Sequence, residues 1–150
     1  MNKPIAIASD HGGYDLKCQI VAHLQACGMT VLDLGTDSGT VSVDYPDYAA
    51  KLVAAIVAGK AERGILICGT GIGISIAANR HKDIRCALVH DATTASLCRE
   101  HNDANVIALG GRVIGPEVAK DCVDIFLATA FAGGRHSGRL AKLGACSSPD

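Results

Sequence analysis

The chain has 150 residues, a formal net charge of −1, 49% apolar residues and only 3% aromatic residues, with no tryptophan. This length suits one domain, residues 1–150, that buries about two-thirds of the surface its unfolded chain exposes. The balanced charge excludes a general basic surface for nucleic acid, and the scarcity of aromatic side chains disfavours base-stacking platforms and flavin sandwiches. No apolar run is long enough to span a membrane.

The cysteines are odd in number, scattered, and never spaced as C-x-x-C. This pattern argues against a disulfide framework and against a structural zinc site. The first residues also lack the basic and apolar regions of a signal peptide. We therefore expect a protein of the reducing cytoplasm with no metal site. The seven cysteines are Cys18, Cys27, Cys68, Cys86, Cys98, Cys122 and Cys146.

Short apolar runs alternate with segments of helical periodicity along the chain. The runs predict five strands, over residues 5–8, 31–34, 65–68, 86–89 and 106–109. Helical spacing of apolar residues predicts helices that end before Gly28 and Gly59, a short helix over 73–79, and a long helix opened by Gly115-Pro116. The alternation predicts an α/β protein, a single-domain three-layer α/β/α Rossmann-like fold with a five-stranded parallel sheet.

Polar segments follow the predicted strands, at 9–13, 68–73, 90–91 and 110–112. Because ligands of open α/β sheets bind outside the carboxyl ends of the strands, we expect these segments to gather at one edge. The topology does not place two further polar segments, 44–46 and 101–103. The pair His90-Asp91 is most simply explained as a strand exit and a helix cap.

The segment Cys68-Gly69-Thr70-Gly71-Ile72-Gly73 brings a thiol directly onto three alternating glycines and a predicted helix start. Glycines allow several backbone N–H groups to converge on one anion, and a helix N-terminus adds positive potential at the same place. The spacing fits neither the dinucleotide fingerprint nor the phosphate loop of nucleoside triphosphatases. The segment predicts a base or nucleophile beside an anion site. The simpler alternative is a buried cysteine that acts as a small apolar side chain.

Three further candidates have both a functional and an ordinary interpretation. Asp10 either caps the following helix or lies in the site at the end of strand one. Asn102 and Asp103 alone would indicate an ordinary turn, whereas His101 can transfer protons near neutral pH if it faces the cleft. The arginine-rich segment 135–139 suits phosphate oxygens, although short charged tails are often merely solvated. The tail 131–150 differs in composition from the body, and we expect it to reach the site of a neighbouring subunit.

Taken together, five ordered motifs resemble the ribose-5-phosphate isomerase B family, which includes allose-6-phosphate and galactose-6-phosphate isomerases. The resemblance covers essentially the whole chain and implies an aldose-ketose isomerase. The motifs are Asp10-His11-Gly12-Gly13, Asp44-Tyr45-Pro46, the block from Ile67 through Gly73 to Asn79, His101-Asn102-Asp103-Ala104-Asn105-Val106, and Gly133-Gly134-Arg135-His136.

The resemblance implies a role for each matching residue. Cys68 is the base that moves a proton between C1 and C2 of the open-chain sugar, and Thr70 assists proton movement between the oxygens. Asp10 and His101 bind the furanose ring and open it. The enediolate is held by backbone amides of Gly69, Gly71, Ile72, Gly73, Ile74 and Ser75. The sugar meets Tyr45 and Asn102, and the phosphate meets His11, Arg112, Arg135, His136 and Arg139.

The implied reaction interconverts ribose 5-phosphate and ribulose 5-phosphate through a cis-enediolate, a step of the pentose phosphate pathway. Fixed amides that stabilise a developing oxyanion fit this chemistry, and they favour the thiolate of Cys68. The resemblance implies no metal or organic cofactor, and a homodimer with sites at the subunit interface, or a tetramer. Allose 6-phosphate, galactose 6-phosphate and tetrose phosphates remain alternative substrates.

The chain departs from the family pattern at three positions. One branch of the family uses a glutamate where this chain has Ile74, so Cys68 is the evident base. Val43 and Gly111 stand where threonine and serine are common, and these differences bear on sugar preference.

Other classes of protein share the predicted fold. A flavodoxin-like module would place aromatic residues in the glycine loops, and a phospho-receiver domain would end strand three with an aspartate, where this chain has Cys68. A sensor that binds sugar phosphates without turning them over is the closest alternative, and the intact Cys68 and Thr70 argue against it.

Overall fold

The structure is a computed structural model that describes residues 2–144. A five-stranded, all-parallel sheet forms its centre, which confirms the predicted α/β class and parallel sheet. The strands are β1 Ile5–Ser9, β2 Val31–Asp33, β3 Gly64–Cys68, β4 Cys86–Leu88 and β5 Val106–Gly110. Their order across the sheet is β2-β1-β3-β5-β4.

Helices cover both faces of the sheet, as the predicted three layers require. The helices α1, α4 and α5 pack on one face, whereas α2 and α3 pack on the other. Their bounds are α1 Tyr14–Ala26, α2 Tyr45–Val57, α3 Ile72–Ala78, α4 Ala92–Glu100, α5 Pro116–Ala128 and α6 Arg135–Gly144. A short 3-10 turn, His11–Gly13, precedes α1.

The central strands β3 and β5 are buried along their whole length, because both of their faces lie under helices. Alternate residues of β3 therefore enter different cores. Ile65 and Ile67 pack against the face of α1 and α5, whereas Leu66 and Cys68 pack against the face of α2 and α3. Strand periodicity thus directs the Cys68 side chain toward α3.

The strand order creates a crevice at the carboxyl edge of the sheet. From β1 the chain continues to β2 on one side, and it later returns to β3 on the other side of β1. Ligands bind at such a reversal in open α/β sheets. The crevice lies between the ends of β1 and β3, which are the residues Ser9 and Cys68.

The C-terminal part of the chain contains more regular structure than its glycine- and arginine-rich composition predicts. Residues 135–144 form α6, and His136 is buried against the same chain. Residues 145–150, with Cys146, lie outside the described residues. In the described part of the chain, no helix has both the length and the hydropathy that crossing a membrane requires.

Candidate active site

Cys68 ends β3 with its side chain only 4% exposed, and the turn that follows curls back over the sulfur atom. The Gly71 N–H donates a hydrogen bond to Sγ of Cys68 at 3.1 Å. Gly71 has a φ of 78°, in the left-handed region that favours glycine. Its hydrogen atom occupies a place where a Cβ would lie 2.7 Å from Leu88. Glycine is therefore required at this position of the predicted turn, both for the backbone conformation and for the close packing.

Helix α3 begins at Ile72, directly after this turn. The Ile72 N–H donates to Oγ1 of Thr70 at 3.2 Å, so the Thr70 hydroxyl group lies at the start of the helix. The Gly73 and Ile74 N–H groups belong to the first turn and have no intrahelical acceptor. The turn and the helix start together present amide donors and a hydroxyl group beside the Cys68 sulfur.

The other internal cysteines differ from Cys68 in their electrostatic environment. Burial raises the pKa of Cys86 to about 12 and the pKa values of Cys98 and Cys122 to about 11, so these groups stay thiols at neutral pH. Cys68 instead accepts an amide hydrogen bond at its sulfur, from the Gly71 N–H of the glycine turn. Among the described cysteines, Cys68 is the one that ends a central strand with its sulfur under the glycine turn.

Asp10 and His11 follow β1 on the other side of the crevice. Asp10 is 7% exposed, and its Oδ1 accepts a hydrogen bond from the Gly13 N–H at 3.1 Å, which is the capping role considered from sequence. The Val43 N–H donates to Nδ1 of His11 at 3.2 Å. This bond requires an unprotonated Nδ1, so the proton of the neutral ring is on Nε2, which is available as a donor.

Arg112 comes from the loop after β5 and lies across the two glycine turns. A Cβ on Gly69 would lie 3.1 Å from its Nη1, and a Cβ on Gly12 would lie 3.4 Å from its Nη2. The Arg112 N–H also donates to the Gly69 carbonyl at 2.9 Å. Its side chain is exposed and forms no ion pair within the described residues. Arg112 is therefore a free cation at the crevice, suited to a phosphate.

Tyr45, which sequence topology left unplaced, is brought to the crevice by the start of α2. Its ring lies against the first turn of α3, where a Cβ on Gly73 would come within 2.6 Å of Cζ. The tyrosine thus borders the amide donors of α3. Glycine at position 73 is what allows this approach.

His90 belongs to the scaffold of the site, a role that the sequence interpretation missed. Its Nε2 accepts a hydrogen bond from the Gly110 N–H at 3.1 Å, and Gly110 packs against the Thr70 carbonyl. Asp91 caps α4 through the Thr94 N–H at 2.7 Å, as expected. The sequence placed His90 at the carboxyl edge with the segment 90–91, but it held no local signal for the contact with Gly110, which lies 20 positions away.

His101 and Asn102 lie at the opposite edge of the sheet from Cys68 in the same chain. They follow α4, which returns from the carboxyl edge, and they precede β5. The Asn102 carbonyl accepts from Nε of Arg85, which precedes β4, at 2.9 Å. The length of β5, about 13 Å at the usual rise per residue, separates this edge from the Cys68 crevice. One chain therefore does not bring His101 and Asn102 to Cys68.

Helix α6 adds Arg135, His136 and Arg139 to His101 and Asn102, and these five residues form a second cluster at that edge. The ring of His136 stacks on that of His101, with centroids 4.3 Å apart and planes 20° apart. Burial, and then the charges of His101, Arg135 and Arg139, lower the pKa of His136, while Glu100 acts in the opposite direction. Arg135 and Arg139 are exposed. The second cluster is thus a cationic surface with two imidazoles, suited to an anionic ligand that approaches from outside the chain.

Comparison with known proteins finds similarity to isomerases of sugar phosphates. Residues 5–143 match the protein family described as Ribose/Galactose Isomerase. The chain is 48% identical over 141 residues to ribose-5-phosphate isomerase B of Escherichia coli, covering 94% of both chains. It is 46% identical over 140 residues to D-erythrulose-4-phosphate isomerase of Pectobacterium atrosepticum, covering 93% of this chain and 92% of the relative.

A solved structure, that of a ribose 5-phosphate isomerase from Thermotoga maritima, superposes with a TM-score of 0.94 at 50% identity. The alignment covers 97% of this chain and 99% of the other. The similarity therefore extends through the crevice, the second cluster and α6.

Proposed function

The chain belongs to the ribose/galactose isomerase family and is an aldose-ketose isomerase of sugar phosphates, and we propose that it interconverts ribose 5-phosphate and ribulose 5-phosphate. The observation that carries this proposal is the hydrogen bond from the Gly71 N–H to Sγ of Cys68 beside the start of α3. It joins a base and an oxyanion site within one turn of chain.

The proton transfer follows from this geometry. The Cys68 thiolate removes a proton from the carbon next to the carbonyl group of the open-chain sugar, and a cis-enediolate forms. The Gly73 and Ile74 N–H groups stabilise the negative oxygen more strongly than the neutral carbonyl, which lowers the barrier. Thr70 passes the proton between the two oxygens, and the Cys68 thiol then returns its proton to the neighbouring carbon.

Binding and ring opening use residues on both sides of the crevice. His11, through Nε2–H, and Arg112 bind the phosphate, and Tyr45 contacts the sugar. Asp10 accepts the proton of the ring hydroxyl group, with His101 as its acid-base partner. Because His101 lies at the far edge of its own sheet, it must come from a second copy.

We therefore propose a homodimer in which the second cluster of one copy completes the crevice of the other. That cluster consists of His101, Asn102, Arg135, His136 and Arg139, and the tail 131–150 carries its last three members. The separation of the two clusters within one chain supports this arrangement, as does their complementary chemistry. The crevice contains the base and the amides, while the second cluster adds cations and imidazoles. A tetramer would contain two such pairs.

The type of reaction does not by itself decide which sugar phosphate is the substrate. The two relatives compared above have similar identities to this chain, yet one is named for a pentose phosphate and the other for a tetrose phosphate. Both sugars need the same proton transfer, so erythrulose 4-phosphate is the second candidate substrate. We also propose a reducing cytoplasmic setting, which is supported by the free state of the six described cysteines.

The experiment compares the protein with its Cys68→Ala variant on ribose 5-phosphate and on erythrulose 4-phosphate, following the ketose and aldose products. We expect the wild type to turn over ribose 5-phosphate faster. The kcat of the variant should fall by at least about 10³-fold, because the substitution removes the base. Ribose 5-phosphate should still raise the Tm of the variant, because the residues that bind the phosphate are unchanged.

Cys98→Ala is the matched control, since it removes another buried thiol from outside the crevice. It should retain kcat. Full turnover by Cys68→Ala would show that another group is the base. Faster turnover of erythrulose 4-phosphate by the wild type would transfer the assignment to the tetrose.

A further inference from the structure

The turn between α4 and β5 is held by an arrangement of arginines that the isomerase chemistry does not use directly. Asp103 has a φ of 44° and is the one non-glycine residue with a positive φ in the described part of the chain. Aspartate tolerates this left-handed conformation better than most residues, but at some cost in free energy. The turn is therefore kept in its shape by contacts around it, and it carries His101 and Asn102 immediately before Asp103.

Arg99 makes the central contacts. Its side chain is 3% exposed, and its Nη1 donates to Oδ1 of Asp103 at 2.8 Å and to the Ala104 carbonyl at 2.7 Å. Its Nε donates to the Thr129 carbonyl at 3.1 Å, just beyond the end of α5. One buried guanidinium thus joins α4, the turn and the segment that leads into the tail.

Arg85 holds the turn from the other side. Its Nε donates to the Asn102 carbonyl at 2.9 Å, and its Nη2 donates to the Asp103 carbonyl at 3.1 Å and to Oδ2 of Asp103 at 3.2 Å. The carbonyls of three consecutive residues, 102 to 104, therefore accept from two arginines, and both oxygens of one carboxylate are used. Hydrogen bonds of this kind are charge-assisted and directional, so they fix orientation as well as position.

The charge of Asp103 also balances the surrounding cations. Burial, and then the positive charge of Arg99, lower the pKa of Arg63, and Asp103 and Glu62 oppose this effect. Without the carboxylate, Arg99 would be a buried cation without its counter-charge, which is strongly unfavourable. The ion pair is thus required for the turn to be held by Arg99 at all.

We propose that Arg99 and Asp103 are positioning residues for catalysis, which fix the α4–β5 turn so that His101 and Asn102 meet the sugar phosphate in one geometry. This inference rests on the proposed function. Neither residue touches the substrate. They act through the imidazole of His101, which is also held by the stacked ring of His136. A displacement of about 1 Å at such a group can lower the rate about 100-fold.

The test uses Asp103→Asn and Arg99→Lys in the full-length protein. Asparagine tolerates a positive φ, so Asp103→Asn removes the charge without adding backbone strain. Arg99→Lys keeps a positive charge but cannot serve Asp103, Ala104 and Thr129 together. Ile20→Val, on the buried face of α1, is the control for a modest loss of stability caused by a residue outside the turn.

Two readouts are measured well below each Tm. The first is kcat and KM on ribose 5-phosphate, and the second is the pair of imidazole resonances of His101 and His136 in the free protein. We expect both turn variants to lose about 10- to 100-fold in kcat with a smaller change in KM, because the crevice that binds the phosphate is intact. Their imidazole resonances should shift, whereas Ile20→Val should keep the wild-type kcat and resonances.

Wild-type kcat and resonances in either folded variant would overturn the proposal. A fall in kcat that Ile20→Val reproduces at the same loss of stability would also overturn it, since the role would then be structural. Inactivity of the wild type on every sugar phosphate tested would refute the proposed function instead. Shifted imidazole resonances in the variants would then still show that Arg99 and Asp103 fix the orientation of the turn.

Discussion

Gly73 shows how one missing side chain shapes the candidate site. A helix ordinarily prefers alanine to glycine by about 1 kcal/mol, so glycine in the first turn of α3 is unfavourable for local structure. The Tyr45 ring occupies the space that a Cβ would fill, with Cζ 2.6 Å and the hydroxyl oxygen 2.9 Å from that position. Glycine at position 73 thus lowers the helix propensity of α3, but it allows the tyrosine to lie close to the amide donors of this helix.

We predict that Gly73→Ala raises KM for ribose 5-phosphate by about tenfold without lowering Tm, because the displaced tyrosine no longer borders the sugar while the helix gains propensity. Steady-state kinetics and thermal unfolding measure the two effects. Gly115→Ala is the matched control, since a Cβ there meets no atom within 4 Å. In a Tyr45→Ala background, Gly73→Ala should change KM no further. A tenfold additional change there would mean that the alanine acts on the amides directly.

At the scale of elements, α6 is attached to the body through a titratable contact. His136 is buried and stacks on His101. Arg135 and Arg139, on the same helix, also face it with positive charge, and Glu100 supplies the opposing negative charge. The lowered pKa of His136 means that the docked helix prefers the neutral ring. When the helix is undocked, the ring binds a proton near its ordinary pKa of 6.5.

This difference predicts that docking of α6 weakens as pH falls below about 6.5, because the undocked state then binds more protons than the docked state. Above that pH the neutral ring contributes its full stabilisation to docking. Amide hydrogen exchange of residues 135–144 at pH 5.5 and 7.5, corrected for intrinsic rates, measures the effect. His136→Phe keeps a stacked ring without a titrating group and should remove the pH dependence. The same pH dependence in the phenylalanine variant would assign it to another group.

At the scale of the whole molecule, the described residues contain two separate clusters of candidate site residues. The crevice at the carboxyl edge contains Cys68, Asp10 and the amides of α3, whereas His101 and α6 lie at the amino edge. A rigid five-stranded sheet stands between the edges, so no local rearrangement unites them. Two copies in a closed, two-fold arrangement would pair each crevice with the other copy's second cluster.

We predict complementation between two variants, Cys68→Ala and His101→Ala, each of which should be nearly inactive alone. After the two are mixed, unfolded together and refolded, half of the dimers are hybrids with one intact crevice, so activity should recover to about a quarter of the wild-type value. Mixing without subunit exchange is the control. Activity that stays at the sum of the two variants would show that each site is built from a single chain.

The sequence by itself predicted the five strands, several of the helices and the glycine turn that borders the crevice. Short apolar runs, helical spacing and glycine positions are local signals, so they predicted all five strands, the α/β class and the turn after Cys68. Sequence patterns missed the helix in the tail, because Leu140 and Leu143 are its only large apolar residues among arginines, a serine and glycines. They also missed His90, whose contact with Gly110 spans 20 positions.

Only the tertiary structure decided which polar segments meet. Strand order depends on long-range pairing, and it determined that the crevice lies between β1 and β3. Packing of α2 against α3 brought Tyr45 to that crevice, and the return of α4 carried His101 and Asn102 away from it. The physical reason is that residue types and spacing encode local conformation, whereas the direction in which a helix returns across a sheet depends on burial shared by the whole chain.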